Sequence, residues 1–336
     1  MKVSFWHKFL VVVVTVGVML SASSSAVFAA GIGSRPAHPD PNNPRTQSIF
    51  IYNLSGGSSK SDQLYLQNGL DEKVTVEVYA VDGTVTATGD MTCKQKAEAK
   101  DTAGKWIDVP KQDVTLAAKE SKLVDFKVTV PNKVDVGEHN ACIVVQRKDA
   151  PPAATGGVQI QTRQAIRVAV VVPGDIHRDV TIDKFDIQYT NGHQLYTIAL
   201  KNSGNVSADV DVKLVVKDAS GKVVHEDGGV NATVANETRQ FRYESKIDSF
   251  WGGKYKAELT ISYKKKAGEW GISQNQAELT VKHAEPKEMF FWPNMLAVAI
   301  LGGVVVLLIL LLIVIIVLKK HRHKKSVHFE IGRAHV

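Results

Sequence analysis

Asp71–Asp82 (DEKVTVEVYAVD) is the stretch that decides the fold class of this chain. From Val74 to Val78 its apolar side chains occupy every second position, and Val81 continues the strand. A period of two places one face of a strand in a core and the other in water, as in antiparallel sheets. The Asp-Gly pair at 82–83 is a turn signal. The stretch therefore predicts one strand of an antiparallel β-structure.

Short apolar runs of the same kind recur along residues 48–283, with Asn-Gly, Ser-Gly and Gly-Gly pairs between them. We identify no convincing amphipathic helix in this region. Many short strands separated by turn signals predict an all-β protein, here two tandem Ig-like β-sandwich domains. The predicted strands cover residues 49–52, 64–68, 71–82, 113–116, 123–130, 141–146, 165–172, 180–188, 195–201, 210–217, 222–226, 240–244, 254–263 and 276–282.

The two halves of this region resemble each other. Leu64–Asn68, followed by a turn and residues 71–82, parallels Ile198–Asn202, followed by a turn and residues 207–218. We interpret the parallel as two sandwiches of one topology in tandem, joined near Pro173-Gly174. The alternative is that all β-sandwich sequences look alike at this level.

Residues 295–318 form an unbroken apolar segment that contains no charged side chain. As a helix the segment spans about 36 Å, enough to cross a hydrocarbon core of about 30 Å. Phe290, Phe291 and Trp292 precede it, where an aromatic belt is expected. We predict one C-terminal transmembrane helix, the alternative being a helix buried in a large soluble core.

Basic residues follow the apolar segment and predict a membrane stop-transfer signal. They are Lys319, Lys320, Arg322, Lys324 and Lys325.

The N-terminal segment predicts a cleaved signal peptide, the alternative being an uncleaved anchor. It contains two lysines, an apolar run at 9–20 and small residues ending at Ala29. We therefore predict a single-pass type I protein of the cell membrane, with N-terminal domains extracellular and the C-terminal tail cytoplasmic.

The formal charge of +7 is confined to the two ends, so the exported part is close to neutral and gives no support for nucleic-acid binding. The tail is interpreted as a topology signal. The predicted segments are residues 1–29 (signal peptide), 30–47 (Pro-rich spacer or extended lead-in strand), 48–174 (first sandwich), 175–284 (second sandwich), 285–294 (juxtamembrane), 295–318 (transmembrane helix) and 319–336 (basic cytoplasmic tail).

Cys93 and Cys142 are the two cysteines of the chain, and an extracellular location permits their oxidation. We predict a disulfide that stabilises the fold by about 4 kcal/mol in the chain-entropy model; two free thiols are the alternative.

The bridge would tether the long connection at 85–111. Long connections without regular structure are often functional, so we predict Trp106 as a ligand-binding residue; the alternative is a packed cover over a sheet edge. Deleting residues 94–104 is then expected to weaken binding and leave folding cooperative.

Residues 47–174 resemble the peptidoglycan-binding domain of the WxL-interacting proteins of Gram-positive surfaces. The matching features are the opening strand Ile49–Tyr52, the Leu-x-Leu-x-Asn strand, Lys73–Asp82, Val114–Ser121, Val128–Pro131, Val136–Glu138 and Arg167–Pro173. The order of signal peptide, two all-β domains, one helix and basic tail is similar too. The second domain resembles a generic Ig-like repeat of bacterial surface proteins. The resemblance implies peptidoglycan or another wall polymer as partner, and also WxL-type surface proteins, since the chain itself has no Trp-x-Leu.

We find no nucleophile elbow or triad motif, and we predict no catalytic residue, no metal site and no cofactor. His193 and His225 lie near turns and are interpreted as solvated. Asp209 and Asp211 are interpreted as a solvated strand face, with a cation site as the alternative.

Trp251 and Trp270 lie beside glycines and are interpreted as packed residues, with glycan stacking as the alternative.

The sequence leaves three hypotheses for the function of this protein. The first is a non-catalytic, wall-facing binding or scaffolding protein, which the resemblance favours. The second is a general adhesin for a ligand on another cell, and the third is an enzyme whose site is not visible in the sequence.

Overall fold

The computed structural model describes residues 31–148, 162–190, 192–247, 249–264 and 279–331, with side chains up to residue 320. The predicted signal peptide, Trp270 and residues 332–336 lie outside the described residues. The chain divides into two compact units. The first unit comprises the described residues up to Thr84 together with Cys93–Val134 and His139–Val170. The second comprises Val85–Thr92, Asp135–Glu138 and the described residues from Val171 onward.

The first sandwich contains two sheets. Their strands in chain order are β1 (Ile32–Pro36), β2 (Phe50–Asn53), β3 (Ser59–Asn68), β4 (Val74–Val85), β5 (Met91–Cys93), β6 (Ile107–Asp108), β7 (Asp113–Leu116), β8 (Ser121–Thr129), β9 (Gly137–Arg147) and β10 (Arg163–Val172). One sheet has the order β1-β3-β8-β6, and the other has the order β2-β10-β9-β4-β5, with β7 also paired to β4. Phe50 and Phe126, one from each sheet, meet edge to face with ring centroids 4.8 Å apart. The interior between the sheets is therefore the hydrophobic core.

Strand β1 lies in the segment predicted as a spacer or an extended lead-in strand. It pairs antiparallel with β3, from Ile32 opposite Asn68 to Pro36 opposite Leu64. A short 3-10 helix, Pro44–Gln47, then leads into β2. The extended-strand interpretation is the one that the structure shows, because β1 completes an edge of the first sheet.

The second sandwich also contains two sheets. Its strands are β11 (Val180–Thr190), β12 (His193–Asn202), β13 (Ala208–Asp218), β14 (Val223–Thr233), β15 (Thr238–Ser245), β16 (Gly253–Lys264), β17 (Leu279–His283) and β18 (Lys287–Phe291). The sheets have the orders β11-β12-β15 and β14-β13-β16-β17, with β18 also paired to β16. Within the first sandwich, β1-β3-β8 and β5-β4-β9-β10 follow the same two orders. The predicted tandem of two sandwiches with one topology is therefore confirmed.

The repetition extends to single side chains at the ends of β3 and β12. Asn68 and Asn202 are both fully buried. The side-chain oxygen of each accepts a bond from the backbone N–H two residues on, of Leu70 at 3.0 Å and of Gly204 at 2.9 Å. The side-chain nitrogen of each donates to a carbonyl four residues on, of Glu72 at 2.7 Å and Val206 at 3.0 Å. These amides replace the ladder bonds that the chain loses where it turns into the next strand.

One long helix, α1 (Met295–Ile331), follows β18. The residues 285–294, predicted as a juxtamembrane segment, contain β18, which pairs antiparallel with Gly253–Ala257 of β16. Met289 of β18 is buried in the core of the second sandwich. The second sandwich therefore continues almost to the first residue of α1.

Candidate functional site

The predicted bridge between Cys93 and Cys142 is present, with Cα atoms 6.0 Å apart. It joins the last residue of β5 to β9, where Cys142 is fully buried opposite Val81 of β4. The connection between β4 and β7 is therefore tied to the central strands of its sheet, as the sequence predicts.

Asp82, the last residue of the stretch Asp71–Asp82, organises the rest of this connection. Its carboxylate is buried and accepts bonds from the backbone N–H groups of Asp101, of Thr102 at 3.1 Å and of Gly104 at 2.7 Å. The Lys94 ammonium lies 3.6 Å away. Burial by itself favours the neutral acid, but the backbone donors outweigh that effect and lower the pKa of Asp82. The carboxylate thus folds the connection around a single charge.

Gly104 shows how closely the connection approaches β4. A Cβ atom at this position would lie 2.6 Å from the backbone nitrogen of Asp82, so a larger residue does not fit without displacement. β5 ends one sheet and β6 ends the other. The connection therefore runs from one sheet edge to the other. This agrees with the alternative predicted from the sequence, a packed cover over a sheet edge.

Trp106, the predicted ligand-binding residue, is half-buried at the end of a 3-10 helix, Ala103–Trp106. Its indole lies 4.9 Å from the imidazole of His139, centroid to centroid, and the two rings are tilted by 50°. Part of the indole thus packs on the fold and part remains open to a ligand. Its role in binding stays a prediction.

The structure changes the expectation for deleting residues 94–104. That segment supplies the N–H donors of Asp101, Thr102 and Gly104 to the Asp82 carboxylate. Removing it would leave a buried charge without partners, which is strongly destabilising. Point substitution of Trp106 is the sound test of binding, because it leaves the Asp82 contacts in place.

A second feature of the first unit is an open cleft of about 950 Å³ beside β2, formed by β2, β3, β8 and the segment after β1. Phe50 and Phe126 are buried at its base. The Tyr52 hydroxyl donates to a carboxylate oxygen of Asp62 at 2.8 Å, and the His38 imidazole lies 3.5 Å from the other oxygen. Burial, and then the bond to Asp62, raises the pKa of the Tyr52 phenol. An apolar base with a few convergent polar groups is the usual composition of a ligand site.

Sequence reasoning missed this cleft. Its polar groups come from His38 before β2, Tyr52 on β2, and Asp62 on β3. None of the three stands out in its own stretch, because a lone polar residue on or beside a strand is usually solvated. The alternation of Phe50 and Tyr52 on one face of β2 was the one available signal.

The charged and histidine residues singled out in the second half show no cluster. The His193 imidazole lies 2.5 Å from a carboxylate oxygen of Glu244, whereas His225 stacks parallel to the Tyr196 ring at 6.5 Å and is packed rather than solvated. Asp209 and Asp211 line a cleft together with Arg178, whose positive charge opposes a cation there. Within the described residues, no group of three potential metal ligands comes together.

Helix α1 contains the predicted span. Met295–Lys320 contains an 18-residue window with a mean hydropathy of 3.6 that is not buried against the protein, and it is the one helix of this length and composition in the described part of the chain. Lys319, Lys320, Arg322, Lys324 and Lys325 continue the helix directly after the apolar residues. Their stop-transfer role stays a prediction.

The fold defines a class, a tandem Ig-like β-sandwich protein with a C-terminal apolar helix of membrane-spanning length. Within the chain, residues 35–147 match the family model described as WxL Interacting Protein, peptidoglycan binding domain. The resemblance stated from the sequence is confirmed over these residues, which hold β2–β9, the disulfide, Trp106 and the cleft. The second sandwich and α1 lie outside the match.

Solved structures with similar chains include bacterial pilus chaperones. One is the "CsuC-CsuE chaperone-tip adhesion subunit pre-assembly complex" of Acinetobacter baumannii, with 13% identity, a TM-score of 0.39, and coverage of 75% of this chain and 98% of that chain. Another is the YadV chaperone, with 12% identity, a TM-score of 0.40, and coverage of 76% and 100%. Because these values are low, the sandwich architecture rests on the sheet orders given above. No curated protein matches the chain.

Proposed function

We propose that this protein is a non-catalytic, membrane-anchored cell-surface protein whose first domain binds cell-wall peptidoglycan. The match of residues 35–147 to a peptidoglycan-binding domain family carries the proposal. The apolar helix supplies the anchor, with the two sandwiches outside and the basic tail inside. Because the exported part is close to neutral, binding should depend on shape and hydrogen bonds rather than bulk charge, and should survive moderate salt.

The site of binding has two candidates in the first domain. The first is Trp106 beside His139, where a half-exposed indole offers a flat apolar face. The second is the cleft beside β2, where Tyr52, Asp62 and His38 present polar groups above an aromatic base. We favour the cleft, because a concave site with convergent polar groups buries more of a ligand than a single ring does.

A pull-down with purified peptidoglycan sacculi tests the proposal. The full-length protein in detergent is expected to sediment with sacculi at low and moderate salt, and so is a fragment of residues 31–174 that melts cooperatively. Binding that resides wholly in residues 175–283 would contradict the proposal. Release of soluble muropeptides from the sacculi over time would contradict the non-catalytic part.

Single substitutions separate the two candidate sites. His38→Ala changes an exposed side chain of the cleft, and Trp106→Ala removes the half-exposed indole. We expect the first to weaken sacculus binding more than the second, with the disulfide and melting temperature retained. Leu123→Ser is the matched control, because Leu123 is exposed on β8 and lines neither site. Equal binding by all three variants would remove both candidates.

A protein partner is the second candidate function, and the edge strand β14 favours it. Val223, Val224 and Val230 are exposed on β14, which among the described strands pairs on one side only, with β13. An exposed edge with apolar side chains is suited to accept a strand from another chain, such as a WxL-type surface protein. Val230→Lys is expected to abolish co-purification of such a partner and to leave sacculus binding unchanged. Retained co-purification would exclude this edge.

A further inference from the structure

The turn between β15 and β16 is joined directly to the start of α1. The backbone N–H of Asn294 donates to the carbonyl of Phe250 at 3.1 Å. The side chain of the same Asn294 caps α1, accepting from the backbone N–H of Ala297 at 2.8 Å. Asn294 thus holds the turn and the first turn of the apolar helix together.

Gly252 shows that this junction is close-packed. Its φ of +69° lies in the left-handed region, and a Cβ atom there would lie 2.4 Å from the carbonyl oxygen of Phe291. A side chain at this position would therefore clash with the segment that enters α1. The Tyr255 hydroxyl donates to the Ser249 hydroxyl at 2.8 Å, which fixes the other end of the turn.

Four aromatic residues surround this junction, and we call them the aromatic collar: Phe250, Trp251, Phe290 and Trp292. The exposed fractions of Trp251, Phe290 and Trp292 are 58%, 54% and 81%. Trp251 meets Phe250 edge to face at 4.9 Å, and Trp292 meets Phe290 in the same way at 5.5 Å. The collar is thus two ordered ring pairs, one from the turn and one from β18 and the residue after it.

Strand alternation explains why Phe290 and Trp292 face outward whereas Phe291, between them, does not. Met289 is buried, and Phe291 packs on the core of the second sandwich, against Tyr255 at 4.9 Å. Phe290 and Trp292, at the alternate positions, are left exposed. Lys254 lies opposite Phe290 on the neighbouring strand, so its exposed cation is on the same face.

This combination fits the headgroup region of a bilayer. Tryptophan and other aromatic rings concentrate at the membrane–water boundary, and basic side chains there meet lipid phosphates. The apolar residues 295–318 form about 36 Å of helix, which exceeds a hydrocarbon core of about 30 Å, so the first turn of α1 reaches the headgroup layer. The collar, hydrogen-bonded to that turn, lies at the same depth.

We propose that the aromatic collar inserts into the headgroup region of the outer leaflet and seats the second sandwich directly on the bilayer. Trp251 is the decisive residue, because it comes from a turn 44 positions before α1 begins and is not part of a flanking belt. The proposal rests on the membrane anchoring proposed above. It assigns the exposed Trp251 to lipid rather than to glycan.

Depth-dependent quenching of tryptophan fluorescence tests the proposal in the full chain. Variants that keep a single tryptophan, at 251, 292 or 106, with Phe at the others, are reconstituted into vesicles of equal parts phosphatidylglycerol and phosphatidylethanolamine. Lipids carrying a nitroxide near the headgroup should quench Trp251 and Trp292 severalfold more than lipids carrying it deep in the acyl chains. Trp106 should remain unquenched by either.

The outcomes separate this proposal from the anchoring on which it rests. If Trp292 is quenched and Trp251 is not, the collar proposal is wrong and the anchor stands. If neither is quenched, both are wrong. Single substitutions in the otherwise unchanged protein give a second measurement that perturbs the fold less. Trp251→Phe should reduce the tryptophan emission that headgroup-labelled lipids quench, and Trp106→Phe should not. A change of Trp251 emission with sacculi, without quenching by lipid, would overturn the proposal in favour of glycan stacking.

Discussion

At the scale of single residues, Asp82 shows how one buried charge organises an irregular segment. Its carboxylate accepts bonds from the backbone N–H groups of the connection and attracts Lys94. Hydrogen bonds to a charged acceptor in a buried site are stronger than those between neutral groups. The connection therefore keeps a defined shape although few of its residues belong to strands.

Asp82→Asn is expected to lower the free energy of unfolding by about 1.5–3 kcal/mol at neutral pH, because the hydrogen bonds lose their charged acceptor. The depressed pKa gives the sign of the pH dependence. The contribution of Asp82 is complete above its unfolded pKa of about 3.9 and is lost as pH falls toward the lower folded value. Urea denaturation at neutral and acid pH should show the difference between wild type and variant shrinking below about pH 4.

Asp71→Asn serves as the control for this measurement, since the Asp71 side chain is 92% exposed. Its effect should stay within about 0.5 kcal/mol, as for other surface substitutions. A difference between wild type and Asp82→Asn that stays constant with pH would show that the carboxylate charge does not stabilise the fold.

Asn202 and its counterpart Asn68 are residues that the internal repeat of the sequence points to and that the structure explains. Asn202→Ala would leave the Gly204 N–H and the Val206 carbonyl without their partners in a buried site. We expect a loss of about 1–3 kcal/mol in the free energy of unfolding, measured by urea denaturation. Gln188→Ala, an exposed position on β11, should change little. A loss equal to that of the control would contradict the role assigned to Asn202.

At the scale of elements, the disulfide and Asp82 together fasten the connection between β4 and β7. The bridge closes a loop with a sequence separation of 49 residues. Replacing both Cys93 and Cys142 by alanine is expected to lower the free energy of unfolding by about 4 kcal/mol. Reductant should bring the wild-type protein to the same denaturation midpoint, with no further effect on the variant. Unchanged midpoints in both would contradict the prediction.

Two strands show where the prediction of strands from the sequence fails, at a boundary in β14 and for a whole strand in β18. β14 was predicted as residues 222–226 but extends through Asp227 and the glycines after it to Thr233. Glycine weakens the strand signal, yet pairing with β13 holds these residues extended. β18 was not predicted, because its aromatic residues were interpreted as part of an aromatic membrane belt. Only the pairing with β16 shows that Met289 and Phe291 face a core.

At the scale of the whole molecule, protease treatment tests the predicted type I orientation, in which both sandwiches lie outside the membrane and the basic tail lies inside. Protease added to intact cells with a permeable wall should remove residues 31–290 and spare the basic tail. An antibody against the tail should then detect a membrane-bound fragment that contains α1. Retention of the exported part after such treatment would contradict the type I orientation.

The sequence by itself determined most of the strands, the tandem topology, the disulfide pair and the apolar span, but not the short strands β5 and β6 or the strand β18. These follow from local properties, because alternation, turn residues and continuous hydrophobicity are read within a few residues or turns. With two cysteines in the chain, only one intramolecular pairing is available.

The tertiary structure alone decided the sites. The Asp82 carboxylate meets backbone N–H groups about twenty residues away, and such donors have no side-chain signature in a sequence. The cleft joins His38, Tyr52 and Asp62 only because β2 and β3 lie in facing sheets. Trp251 reaches the start of α1 only because β16 pairs with β18 and returns the chain to that point. Each depends on which distant segments pack together, and this is set by the cooperative burial of the whole core.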